Sequence, residues 1–226
     1  MIEKIMITDV SVLKSIEDGL DKSTLGSSLA LYVPATSGDV WIAYLDSNKN
    51  IVLIPWQNWS ITRTDAIGVA IMVGGRRLLI SPNEVSLTWS YTYGSGGAIT
   101  TSNKKIADSD YEGLNNTDKI VTSDAFKNDG ASYAPGYCAA YSNGGLSAGT
   151  WWLPSLGELG LIYEKFEAIN TAIARISGAT PLNKATYWSS TERSVVDVWV
   201  TSFTSSLRWG AHKYDVNCRV RPVTSF

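Results

Sequence analysis

The chain has 226 residues, a formal net charge of −2 and a sequence pI near 5.4, which leaves no basic footprint for nucleic acid or an anionic membrane. Hydrophobic residues make up 44% and charged residues 18%, ordinary for a globular protein, and no apolar run approaches the roughly 18 residues of a membrane-spanning helix. Nine tryptophans and eleven tyrosines favour a β-rich fold with aromatic packing, and surfaces that grip ligands.

Met1–Asp9 lacks the charged-then-apolar architecture of a secretory leader, so the expectation is a chain that stays in its cell or has lost a leader. Val12, Leu13, Ile16 and Leu20 fall at helical spacing and predict a helix over 10–20. Leu29–Val33, Val40–Leu45 and Ile51–Ile54 read as strands. Asp46-Ser47-Asn48-Lys49-Asn50 supplies turn chemistry between the last two. Residues 1–60 are therefore read as a small β-rich adaptor module, and 61–226 as a ligand-binding domain. Ile67–Val73 and Arg76–Ile80 flank Gly74-Gly75, a hairpin signal because both turn positions take positive φ. Residues 94–124 are rich in Gly, Ser, Thr, Asn and Asp and are expected to form a long surface loop.

Ser155 and Glu158 form a capping box with Pro154 just outside, which predicts a helix start. Leu156, Leu159, Ile162 and Phe166 share one face. Ile169, Ile173 and Ile176 extend the stripe past a kink, and Gly178 ends it. Thr186–Ser190 reads as a strand. In Val198–Phe203 the alternation directs Trp199, Thr201 and Phe203 into the core and Val198, Val200 and Ser202 outward. Cys218–Val223 closes the chain as a final strand.

Catalytic patterns are absent from this reading. The lone histidine, His212, has no partner motif for general-base work. Cys138 and Cys218 are too few for a disulfide framework and too far apart for a zinc knuckle; free thiols are expected, with one long-range disulfide as the alternative. Pro82-Asn83-Glu84 has part of a calcium-site composition but lies just after a strand, and Gly94-Ser95-Gly96-Gly97 precedes no lysine or helix start. Asp108 with Asp110, and Asp9 with Glu17, read as solvated surface. No catalytic residue, metal site or cofactor is expected.

One group of segments stands out together: Gly144-Gly145-Leu146-Ser147, Trp152-Leu153-Pro154 with Gly157-Glu158-Leu159, Tyr187–Glu192, Trp199 with Phe203, and Val220-Arg221-Pro222-Val223. In this order the chain from about residue 61 resembles a C-type-lectin-fold domain, specifically the variable target proteins of diversity-generating retroelements. The resemblance implies an α+β fold, C-type-lectin-like (formylglycine-generating-enzyme-like), with a variable region at about 192–219. It also implies a phage or bacterial receptor-binding protein, with a protein or glycan receptor. The N-terminal module would attach it to a phage tail or surface appendage, and a homo-oligomer would suit a fibre tip.

On that resemblance the displayed ligand-binding positions are Arg193, Val195, Val196, Asp197, Val198, Val200, Ser202 and Thr204. Ser206, Leu207, Arg208, Trp209, Ala211, His212, Asp215 and Asn217 continue them. Arg208, Trp209 and His212 are the expected anchors, because Trp and Arg dominate binding hot spots. The resemblance also implies adenine-rich codons such as AAC, which when rewritten at adenine do not yield Trp, Met, Gln, Lys or Glu; between Arg193 and Cys218 only Trp199, Trp209 and Lys213 fall outside that set. The alternatives carried forward are a fixed-specificity glycan or protein adhesin and a cysteine-dependent oxidase.

Overall fold

A computed structural model describes residues 39–215 and 218–226. The helix expected over 10–20, the strand at Leu29–Val33 and the site residue Asn217 lie outside the described residues. Two hairpins build the first sheet. In the turn between β1 (Val40–Leu45) and β2 (Ile51–Pro55), Asp46 Oδ1 accepts from the amides of Asn48 and Asn50, each at 2.8 Å. β3 (Ala66–Val73) and β4 (Arg76–Ile80) are joined by Gly74 at φ 56° and Gly75 at φ 79°, values that only glycine adopts without strain. β1 pairs antiparallel with β3, so strands drawn from the stretch assigned to the adaptor share a sheet with β3. β10 (Val223–Thr224) completes the order β10-β4-β3-β1-β2.

The second sheet contains β5 (Val85–Ser86), β6 (Thr186–Glu192), β7 (Asp197–Ser202), β8 (Arg208–His212) and β9 (Arg219–Val220). Its order is β5-β9-β6-β7-β8, with β6 and β9 parallel and the other pairs antiparallel. The chain passes between the sheets twice, at Ser81–Glu84 and at Arg221-Pro222. These crossings are tied together: the Ser81 amide donates to Pro222 O at 3.0 Å. Arg221, 1% exposed, donates to Ser81 O at 3.0 Å, Thr180 O at 2.7 Å and Glu84 Oε2 at 2.9 Å. The Tyr187 hydroxyl donates to the same Glu84 oxygen at 2.6 Å. Burial, first, and the neighbouring Glu84 carboxylate push the Tyr187 phenol well above its ordinary range.

Among the described residues five α-helices pack around the sheets: α1 (Lys104–Asp108), α2 (Gly113–Thr122), α3 (Ala134–Ala140), α4 (Leu156–Glu164) and α5 (Phe166–Ile173). Of the expected stripe, Leu159, Ile162, Phe166, Ile169, Ile173 and Ile176 pack on Val40, Ile42, Val69, Ile71 and Ile80 of the first sheet, whereas Leu156 packs with Ala107 and Trp199; the kink falls at Lys165. A second core joins Trp188, Val198 and Val200 to Trp89, Ile120, Phe126 and Cys138. The surface loop expected over 94–124 is corrected, because it contains α1 and α2. Asn103 caps α1 by accepting from the amides of Lys105 and Ile106.

The capping box at Ser155 is present. Its Glu158 accepts from the Ser155 amide at 2.8 Å and from the Trp152 indole at 3.1 Å, and is 6% exposed. Burial pushes this carboxyl up to about 7, against the two donors, which act to lower it. A carboxyl raised above its unfolded value stabilises the fold fully below about pH 4.5, and the contribution is lost as pH rises through 7. Glu158→Gln removes that dependence. The native chain should lose on the order of 3 kcal/mol between pH 5 and 8 from this group, and the variant should not, as urea denaturation at the two pH values would show.

The expected α+β, C-type-lectin-like class is corrected to a predominantly β architecture of two five-stranded sheets. The motif segments that suggested it solve local problems of burial. Trp152 bridges to Val223, Trp188 Nε1 donates to Leu87 O at 2.8 Å, and the Ser189 hydroxyl donates to Trp199 O at 2.6 Å. Such contacts satisfy buried polar groups between any two packed layers, and they do not specify the order of the strands.

Candidate functional site

β8 is one of the two edge strands of the second sheet, and among the described residues the exposed aromatics Trp209, Tyr214 and Tyr93 lie on it or beside it. Its backbone pairs Asp197 with His212, Val200 with Trp209 and Thr201 with Arg208. His212 stacks on Tyr214 with ring centroids 5.3 Å apart and planes at 12°, and Tyr214 meets Tyr93 edge-on at 5.6 Å. His212 Nδ1 lies 3.2 Å from Asp197 Oδ1, and Arg193 reaches Asp197 Oδ2 at 3.3 Å. The hydrogen bond with Tyr214 is the largest cause that pushes the Tyr93 phenol up to about 12. Trp209 is 41% exposed, Val195 54% and Leu207 65%, so large apolar side chains stand in water around this edge.

The backbone beneath them is held firmly. Lys213 and Glu192, both fully buried, meet at 2.6 Å, and Lys213 Nζ also donates to Gly94 O at 2.6 Å. Glu192 Oε2 accepts from the Gly96 amide at 2.9 Å. The ammonium lies 4.7 Å from the ring centroids of both Trp89 and Phe126. Desolvation lowers the Lys213 pKa, while Glu192 acts to raise it. The Ser90 amide donates to Lys213 O at 2.9 Å, and the Gly94 amide to Val195 O at 3.0 Å. The loop that carries Tyr91 and Tyr93 is therefore fastened to both segments that carry Val195 and Tyr214.

The sequence-derived positions divide. Val195, Thr204, Ser206, Leu207, Trp209, His212 and Asp215 are exposed, and Arg193, Val196, Asp197 and Arg208 are half-buried. Val198, Val200, Ser202 and Ala211 are buried, which corrects their outward assignment. β7 is an interior strand covered on both faces: Val198 and Val200 pack in the core around Trp188, and Trp199 packs with Ala107 and Leu156. Alternation reads a strand with one wet face, and fails when helices cover the other side.

Arg208 is not a free anchor either. It donates to Asp108 Oδ1 at 2.6 Å and lies against Gly160, where a Cβ would come within 2.5 Å of its Nη2. Gly210 likewise leaves room for Arg193, whose Cδ would lie 2.3 Å from a Cβ there. Tyr91, Tyr93 and Tyr214 were missed, because their loops are distant in sequence and are brought together by the fold, through Lys213 and the Gly94–Val195 hydrogen bond. Cys138 and Cys218 are free and buried. Burial pushes both thiols up, Cys218 to about 12, which holds them in the neutral form. Among the described residues no group of three His, Cys, Asp or Glu side chains could hold a metal ion.

The site is thus a rigid surface of exposed side chains on a sheet edge. The scaffold is similar to that of fimbrial proteins. The fold is that of a fimbrial protein from Bacteroides ovatus ATCC 8483, with a TM-score of 0.59 and 18% identity over 81% of this chain and 48% of that one. A putative fimbrium tip subunit, Fim1C, of the same organism is 28% identical over 128 residues, 54% of this chain and 24% of its own length. The chain spans about a quarter of that relative and about half of that structure. No protein-family profile matches it. These likenesses overturn the resemblance to retroelement variable proteins, and with it the C-type-lectin class and the phage setting.

Proposed function

We propose that this chain is an adhesin-like, non-catalytic domain of a bacterial surface appendage, and that it binds its ligand through the exposed edge around β8. The observation that carries the reading is the fastening of Tyr93, Val195, His212 and Tyr214 around one buried ion pair, Lys213–Glu192. Side chains held on a fixed backbone bind without an ordering cost. The fimbrial likenesses support the setting, and a specificity fixed in the sequence suits them better than a rewritten one. Trp209 on one face of β8, and His212 with Tyr214 on the other, are the proposed anchors, so the ligand is gripped across the strand edge, with Val195, Leu207 and Asp215 at the rim; Arg193, Asp197 and Arg208 hold the frame.

The test is binding of the purified chain to printed glycans and to immobilised extracellular-matrix proteins. At least one probe should bind saturably, and Trp209→Ala should weaken it about thirtyfold or more, a hot-spot effect of about 2 kcal/mol. Retention of full affinity by the folded variant would refute the assignment of that face.

A further inference from the structure

Away from β8, two cavities open on either side of Tyr111. One, of about 270 Å³, is lined by Gly75, Arg76, Arg77, Leu78, Tyr111, Glu158 and Leu161. The other, of about 250 Å³, is lined by Tyr111, Glu112, Leu114, Asn115, Asp118, Trp152 and Glu158. The first is basic at its mouth and the second acidic. Glu158 belongs to both, and glycine at position 113 makes room for it, because a Cβ there would sit 2.1 Å from its Oε2.

Arg76 and Arg77 are exposed, and neither has an ion-pair partner among the described residues. By contrast Arg63, Arg193, Arg208, Arg219 and Arg221 each face a carboxylate. Arg76 is held over the Tyr111 ring, its guanidinium carbon 3.5 Å from the centroid, and Arg77 lies 5.9 Å from the centroid of Phe226. Stacking fixes the plane of a guanidinium while leaving its edge N–H groups free, the arrangement that receives a carboxylate in bidentate fashion.

We propose that the cavity between the β3–β4 turn and Tyr111 binds a carboxylate on a small ligand such as a uronic acid, held by the Arg76 guanidinium where it stacks on the Tyr111 ring. The volume accommodates one sugar unit. The charged and titratable groups around Glu158 are Arg76 from β4, Asp110, Tyr111 and Glu112 from the segment before α2, and Asp118 from α2. Four of these five are acids or a phenol, so an ionised Glu158 would add to the repulsion of an incoming anion. Binding therefore goes with protonated Glu158. The reading is independent of the β8 face, and its failure would leave the adhesin proposal standing.

The test titrates the full chain with sodium glucuronate at pH 6 and pH 8, followed by NMR amide shifts and calorimetry. Saturable shifts should centre on Gly75–Leu78 and Tyr111. Because Glu158 titrates at about 7, affinity should fall about tenfold from pH 6 to pH 8. Arg76→Gln, a surface change, should weaken binding about tenfold or more, whereas Arg77→Gln, on the other face of the strand, should leave it within about twofold. Glu158→Gln should bind at pH 8 as the native chain does at pH 6. Equal binding of glucose or of inorganic phosphate, undiminished binding by the Arg76 variant, or a flat pH profile would each overturn the proposal.

Discussion

Replacing Arg221 with alanine should lower the unfolding free energy by about 3–5 kcal/mol, because it strands a fully buried carboxylate. Glu84 would keep the Tyr187 hydroxyl and Asn183 amide as donors but lose its hydrogen-bonded cation, leaving only Arg219 at 3.9 Å. Ser81 O and Thr180 O would lose their donor as well. The change strikes where the chain crosses between the sheets, so both cores should loosen in one transition. For a chain of this size the loss corresponds to a fall in Tm of roughly 10–15 °C. Pairing Arg221→Met with Glu84→Gln removes both charges and should recover much of it. Calorimetry on the single and double variants checks this; a single variant within 1 kcal/mol of native would show that the crossing is not held by the pair.

Lys213→Ala should cost about 3–5 kcal/mol for a similar reason, with a different local consequence. It leaves Glu192 buried with the Gly96 amide as its remaining donor and removes the ammonium from between Trp89 and Phe126. Gly94 O loses its donor too, so the loop bearing Tyr91 and Tyr93 should come free before the sheets melt. Hydrogen exchange should therefore rise at residues 90–97 more than in β6 or β7. Uniform protection across both regions would mean that the pair stabilises the fold without positioning the loop.

Local chemistry was legible in the sequence; long-range order was not. Gly74-Gly75, the Asp46 turn and the Ser155 capping box each carry their geometry in a few adjacent residues, and each is present. α2 was hidden because it is held less by an apolar stripe than by buried polar contacts from afar. Asn116 donates to Asp110, which also accepts from Thr191, while the Thr117 hydroxyl accepts from the Leu153 amide. The outward reading of Val198 and Val200 failed because alternation cannot report a helix that covers the second face. The tryptophan and glycine frame is real as packing, but burial of aromatics between layers recurs across folds, and it pointed to the wrong family. The exposed half of the proposed face was visible in the sequence, while its tyrosines awaited the fold.

The most direct measurement is affinity for the ligand recovered on the arrays, taken beside Tm, for the triple variant Trp209→Ala, His212→Ala, Tyr214→Ala. Binding should fall by about a hundredfold or more, with Tm changed by no more than about 2 °C, since these side chains stand in solvent. Undiminished binding by the folded triple variant would contradict the account.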